Sequence, residues 1–192
     1  IMSDPEFTPE FLSRLRDGEA AAYRQVYEQY SDMVYNVCLR MIGNQEDAED
    51  ATQEVFLKVH HSVAGFRGES KVSSWIYRIA VNICLNKERR KKWARWVSLD
   101  FLFTPEGEEK AGSEDAADQS LEDEERARAV RQAIRSIPQS QKTAIILQRY
   151  EDLSAQEIAD IMGKSLSAVE ALLHRARQNL VKKLREFEHL YI

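Results

Sequence analysis

Two capped helical patterns on either side of one glycine constrain this chain most. The segment LSAQEIADIMGKSLSAVEALLHRARQNLVKKL holds Ser154 with Glu157 and Ser167 with Glu170. Each pair has capping-box spacing: the hydroxyl meets an orphan N–H of the first helical turn, and the acid returns to the cap residue's own N–H. Gly163 falls where the first helix must end, because it takes up the left-handed turn that a side chain resists. A short helix, a short turn and a longer helix form the layout of a helix-turn-helix, whose second helix enters the major groove of DNA.

The faces of the second helix agree with that layout. Val169, Leu172, Leu173, Ala176 and Leu180 recur at three- and four-residue steps and predict a buried stripe. Ala171, His174, Arg175 and Gln178 fall on the opposite side. An amphipathic hairpin with a solvated basic face would carry the same caps. The concentration of cations on one helix (Arg175, Arg177, Lys182, Lys183, Arg185) is what favours nucleic acid.

Upstream, glycine and proline are scarce, at 7 and 4 among 192 residues, and the hydrophobic pattern is helical nearly throughout. Apolar residues at 11, 12 and 15, then 23, 26, 27 and 30, then 33, 34, 37, 38 and 41, predict helices broken at Asp17-Gly18 and Gly43-Asn44. A third helix is expected from about Asp47 to Ser62, and a fourth from about Ser73 to Trp96. Near Pro138 the chain should begin another helix, with the proline in its first turn. The expected fold is therefore all-α, with two small helical domains, 1–97 and 121–192. Residues 98–120 carry few large apolar groups after Phe103 and read as a flexible acidic linker.

The net charge of −5 is segregated. Nine basic residues against two acids lie between Arg67 and Arg95, and six against Glu170 alone between Lys164 and Arg185. Ten acids against Lys110 fill the stretch from Pro105 to Glu125. Two positive patches around a negative cord suit two contacts on one polyanion; a solubilising linker explains the acids as well. The sequence contains no apolar run of the roughly 20 residues that a membrane crossing needs, and its polar, acidic start does not resemble a signal peptide. Cys38 and Cys84 lie inside apolar helical patterns, as buried reduced thiols do.

Three constellations in the first domain carry chemistry. Asp47, Asp50, Glu54, Lys58 and His61 form one stripe of the third helix, and Ala48, Ala51, Val55 and Val59 another. The polar stripe suits a partner surface or a solvated face. In FRGESKVSSWIYRIAVN, small polar residues in a basic loop are framed by Phe66, Trp75 and Tyr77. Such a loop suits an unstacked base, with rings to stack on and Asn82 or a serine to read its edge, though the rings can equally close the core. The run from Lys87 to Arg95 suits phosphate contacts, which add affinity without reading sequence. His60 and His61 point about 100° apart on a helix and do not share a metal ion. The sequence implies no metal, no cofactor, no catalytic residue and no small-molecule substrate.

Taken in order, DAEDATQEVFLKVH, FRGESKVSSWIYRIAVN, an acidic linker, then LSAQEIADIMG with VEALLHRAR resemble an extracytoplasmic-function (group 4) bacterial sigma factor of the sigma-70 family. The resemblance implies a dissociable, non-catalytic specificity subunit of core RNA polymerase that selects and helps open promoters. The first domain would be sigma region 2. Its Asp50, Gln53, Glu54 and Lys58 would grip the polymerase clamp helices. Its Phe66, Arg67, Ser70, Lys71, Ser74, Trp75, Arg78 and Asn82 would surround the melted minus-ten strand. The second domain would be region 4, reading the minus-thirty-five duplex with Ser167, Ala168, Glu170, Ala171, His174, Arg175 and Arg177. Members of that family often place Lys or Arg at the position of Glu170, and Arg at that of Leu172, so the leading turns here carry fewer cations. The resemblance further implies promoter DNA and an anti-sigma factor as partners, release under stress, and a cytoplasmic protein held at the inner membrane only through such a partner. The alternative is a stand-alone helix-turn-helix regulator with an N-terminal sensing or dimerisation domain, which would need neither the FRGES loop nor the polar stripe.

Overall fold

The computed structural model describes residues 7–66, 68, 70–99 and 121–188, with side chains described outside 94–99, 121–127 and 187–188. Among the described residues every regular element is helical, and the chain divides into two compact units, Ile1–Ala111 and Gly112–Ile192. Of the expected linker, Ser98 and Leu99 belong to the last turn of a helix, and the rest lies outside the described residues.

The first unit contains α1 (Pro9–Arg16), α2 (Ala20–Ile42), α3 (Gln45–Ser62), a single 3-10 turn (Val63–Gly65) and α4 (Val72–Leu99). Thr8 starts α1 by accepting the Phe11 N–H at 3.2 Å, with Pro9 in the first helical position, where its missing N–H loses nothing. Gly43 ends α2 at φ 80° while donating to the Leu39 carbonyl at 2.7 Å. Asn44 then caps α3 by accepting the Asp47 N–H at 2.9 Å. With two residues spent on the connection, α2 and α3 must pack as an antiparallel hairpin. Helix α4 lies against both, and α1 rests on α2 and the 3-10 turn.

The apolar stripes meet in the middle of this unit. Val26, Val34, Val37 and Met41 of α2 face Ala48, Ala51, Val55 and Val59 of α3, with Ile76, Ala80 and Cys84 of α4; all are fully buried. The alanines at 48 and 51 allow neighbouring backbones to come close. Cys84 Sγ donates to Cys38 Sγ across 3.6 Å, and both thiols are free and buried. That hydrogen bond, together with burial, pushes the Cys84 thiol far above the usual thiol range.

The second unit is built on α8 (Leu166–Glu188), which α5 (Leu121–Ser136), α6 (Gln139–Tyr150) and α7 (Ala155–Met162) all touch. Its core gathers Ala133 and Ile137, then Ala144, Ile146 and Leu147, then Ile158, Ala159 and Ile161, against Val169, Leu172, Leu173 and Ala176. Pro138 stands one position earlier than the sequence suggests. It is the cap before α6 with an extended ψ of 140°, and its carbonyl accepts the N–H groups of Gln141 and Lys142. A proline N lacks the donor a helix would use, but its carbonyl is fully available, so the capping position suits it too.

Candidate nucleic-acid interface

In the second unit the local chemistry determines where the presented helix starts. Ser154 and Glu157 form the expected capping box on α7: the Glu157 N–H donates to Ser154 Oγ at 3.2 Å and the Ser154 N–H to Glu157 Oε2 at 3.0 Å. Gly163 at φ 61° and Lys164 both send their N–H groups back to the Ala159 carbonyl. The second of these bonds closes the six-residue loop of a Schellman turn.

The second cap differs from the sequence expectation. Helix α8 begins at Leu166, and it is Ser165 Oγ, not Ser167, that accepts a first-turn N–H, from Ala168 at 3.3 Å. Ser167 lies inside the first turn, 3.2 Å from the Ser165 hydroxyl, and Glu170 serves no capping box. The reason is economy of chain. The Schellman turn is complete at Lys164, so the next residue able to cap does so, and two further backbone hydrogen bonds are gained.

That start fixes the outward face of α8. At about 100° per residue, Ser167, Ala171, His174 and Gln178 fall on one line. Glu170 and Arg177 flank it on one side, Arg175 and Ala168 on the other. All of these are exposed except Ala168, which is half-buried, while Val169, Leu172, Leu173 and Ala176 hold the helix to its unit from behind. Arg177 Nη2 donates to Gln148 Oε1 of α6 at 2.7 Å, and Asn179 Nδ2 to Gln141 Oε1 at 2.8 Å, so two polar ties reinforce the apolar seam. Gln178, which the sequence already places on the outward side, lies on the central line four residues beyond His174 and joins the residues that the resemblance assigns to the duplex.

In the first unit, Phe66 is only 7% exposed and its ring lies 4.9 Å from that of Trp75 at an interplanar angle of 34°. Its face is therefore covered in the free chain, and Tyr77 is likewise buried at 6% exposure. Ser70 and Lys71 are exposed on the loop before α4. Ser74, Arg78 and Asn82 follow one another at four-residue steps along α4, with Trp75 beside them, so these residues share a face running away from the Phe66 ring. Arg67 lies outside the described residues.

On α3, Asp50, Gln53, Glu54 and Lys58 are all exposed, on the side away from the buried Ala48, Ala51, Val55 and Val59. The stripe is not wholly given to solvent. Lys91 Nζ donates to Asp47 Oδ2 at 2.5 Å, and Lys87 Nζ lies 3.9 Å from Glu54 Oε2. The antiparallel run of α3 and α4 brings these pairs into register, so two lysines of the basic run, at four-residue spacing, turn towards acids rather than outward. Arg89, Arg90 and Lys92 remain on the exposed side. Beside the stripe, His60 packs edge-on against Tyr23 at 5.2 Å between ring centres.

This geometry defines a helical protein with a helix-turn-helix unit and a second unit bearing a basic helix. Comparison with known proteins makes the class specific. Residues 26–94 match the family model for Sigma-70 region 2, and residues 127–180 match that for Sigma-70, region 4. The ECF RNA polymerase sigma factor SigW of Bacillus subtilis is 31% identical over 180 residues, covering 91% of this chain and 95% of that protein. The RNA polymerase sigma factor YlaC of the same organism is 32% identical, over 91% of this chain and 98% of that one. Among solved structures, CnrH in complex with the cytosolic domain of CnrY superposes with a TM-score of 0.66 at 19% identity, covering 92% of this chain and 96% of that one. The sigma factor RpoE, in complex with the anti-sigma factor NepR from Bartonella quintana, gives 0.65 at 20% identity over 85% and 96%. These two likenesses are of fold. The chain belongs to the ECF sigma factors of the sigma-70 family. The match to region 2 stands where a stand-alone regulator would carry its sensing or dimerisation domain.

Proposed function

We propose that this chain binds bacterial core RNA polymerase and directs it to promoters, contributing recognition and strand opening and no catalysis of its own. The exposed α3 residues Asp50, Gln53, Glu54 and Lys58 form the polymerase-binding surface. Phe66, Arg67, Ser70, Lys71, Ser74, Trp75, Arg78 and Asn82 together capture the melted minus-ten strand. Because the Phe66 ring is covered by Trp75, capture includes a small opening of that pair, after which either ring offers a stacking surface worth about 1–3 kcal/mol per base.

The minus-thirty-five duplex is read by α8. Ser167, Ala171, His174 and Gln178 face the groove floor, Arg175 and Ala168 line one wall, and Glu170 and Arg177 the other. Glu170 suits a cytosine amino group, since an acid there accepts from cytosine N4, whereas Arg177 suits a phosphate. The units are joined by an acidic linker at 98–120, whose first two residues, Ser98 and Leu99, continue α4. The protein acts in the cytoplasm under an anti-sigma partner, and any hold at the inner membrane is that partner's. Among the described residues no helix is long and apolar enough to cross a membrane.

The observation that carries this reading is the bare outer line of α8 on a helix whose inner stripe is fully used by its own unit. Transcription in vitro over a randomised promoter library, with core polymerase and this chain, tests it. Enriched minus-ten and minus-thirty-five elements are expected. A chain that forms no complex with core polymerase at moderate salt, or that enriches no element, overturns it.

A further inference from the structure

The family match begins at residue 26 and so leaves out α1, yet α1 reaches the loop that precedes α4. Arg16, its last residue, donates from Nε to the Phe66 carbonyl at 2.9 Å, across a sequence separation of 50. The Phe66 N–H is held as well, by the Val63 carbonyl of the 3-10 turn at 3.0 Å. Phe66 is therefore fixed at both backbone groups and at its ring. Two residues on, Gly68 sits at φ 76°, and a β-carbon there would meet Leu12 Cδ1 at 3.6 Å and Arg16 Nη2 at 3.8 Å. Gly68 thus lies directly over the α1 surface that carries Leu12 and Arg16. Helix α1 is itself anchored by Phe11 and Leu15, which are buried against the unit. An exposed arginine whose Nε is directed to a distant carbonyl is not explained by core packing.

We propose that Arg16 is a positioning residue for strand capture. By holding the Phe66 carbonyl it fixes the path of the chain into Gly68 and Ser70, and so presets the pocket that meets an unstacked minus-ten base. The inference rests on reading this loop as strand-capturing. A short polar loop with a glycine at positive φ loses entropy when it closes on a ligand, and a loop already held in place loses less. Arg16 acts through the loop and does not itself touch the nucleic acid.

The test uses holoenzyme assembled from core polymerase and the full chain. The probe is a fluorescent single-stranded oligonucleotide carrying the non-template minus-ten sequence of a library-selected promoter, titrated over a range of salt. Arg16→Ala should weaken capture by about five-fold, the effect of one lost hydrogen bond, with the salt slope unchanged. Arg16→Lys, which restores an N–H donor, should recover most of it. Polymerase affinity and binding to a minus-thirty-five duplex should not move. A salt slope lowered by about one would make Arg16 a direct phosphate contact and overturn the proposal. So would unchanged capture by Arg16→Ala alongside weakened capture by Asn82→Ala. If Asn82→Ala and Ser70→Ala are also without effect, the strand-capturing reading itself is wrong and the role of Arg16 falls with it.

Discussion

Helices α4 and α8 are both long, cationic and amphipathic, yet they hold their charge in different ways. On α4, Lys87 and Lys91 face carboxylates of α3, and Lys91 is paired at 2.5 Å. On α8, Arg177 is held by the neutral amide of Gln148 at 2.7 Å. A carboxylate partner fixes a cation but offsets its charge; an amide partner fixes it and leaves the charge whole. On α4, Lys87 and Lys91 are therefore partly quenched by the acids of α3, of which Glu54 alone belongs to the surface proposed for polymerase. On α8, Arg177 is oriented with its charge whole, while Lys183, nearer the end of the helix, is paired with Glu186 at 2.7 Å. The two lysines of α4 thus owe their net charge to neighbouring carboxylates, and Arg177 of α8 does not.

The largest effect expected concerns the independence of the two units. All three tryptophans, Trp75, Trp93 and Trp96, lie in α4, so their fluorescence reports the first unit alone. Leu173→Ala should remove about 3 kcal/mol from the second unit. In urea titration the circular dichroism should then show an early partial transition while the tryptophan transition stays in place. A shared shift of both signals would break the separation.

Next in size is the difference between the helices as DNA contacts. Arg175→Ala should weaken holoenzyme binding to a minus-thirty-five duplex by about ten-fold and lower the salt slope by about one. Lys91→Ala, removing a cation already paired, should weaken binding of promoter DNA by about two-fold. Equal losses in filter binding would show that pairing with Asp47 does not quench the lysine.

A smaller pair of changes sharpens the start of α8. Ser165→Ala should cost about 1 kcal/mol of stability and Ser167→Ala only a few tenths, because only the first removes a cap. Chemical denaturation distinguishes them, and the reverse order would restore the cap to Ser167. Smallest of all, Asp47→Asn should free Lys91 and strengthen DNA binding by about two-fold at low salt, an advantage that salt screening removes. A loss of affinity instead would mean that the pair orders α4 more than it masks it.

The stripes of α3 and α8 were legible because burial repeats every three or four residues, and Ala48, Ala51, Val55 and Val59 need no distant knowledge to be recognised. The Ser154–Glu157 box was legible for the same local reason. The cap of α8 was not, since Ser165 and Ser167 both offer hydroxyls and only the length of the Schellman turn selects between them. The Lys91–Asp47 pair spans 44 residues and the Arg16–Phe66 bond 50, so both depend on helix register that no local pattern contains. The cover on the Phe66 ring was half legible: the sequence marked Phe66 and Trp75 as either stacking platform or core, and only their 4.9 Å approach shows that they occupy one another.

Cys38 and Cys84 are each fully buried; the hydrogen bond between them holds the Cys84 proton and lowers the Cys38 thiol below its ordinary value, and burial keeps reagents from both. Maleimide chemistry needs an accessible thiolate, so the native protein offers it no target. A single cysteine placed at exposed position 181, beyond the residues proposed to meet the groove, would then accept a dye without first stripping out the natural pair. The motion of α8 on a promoter could be followed in an otherwise unaltered chain.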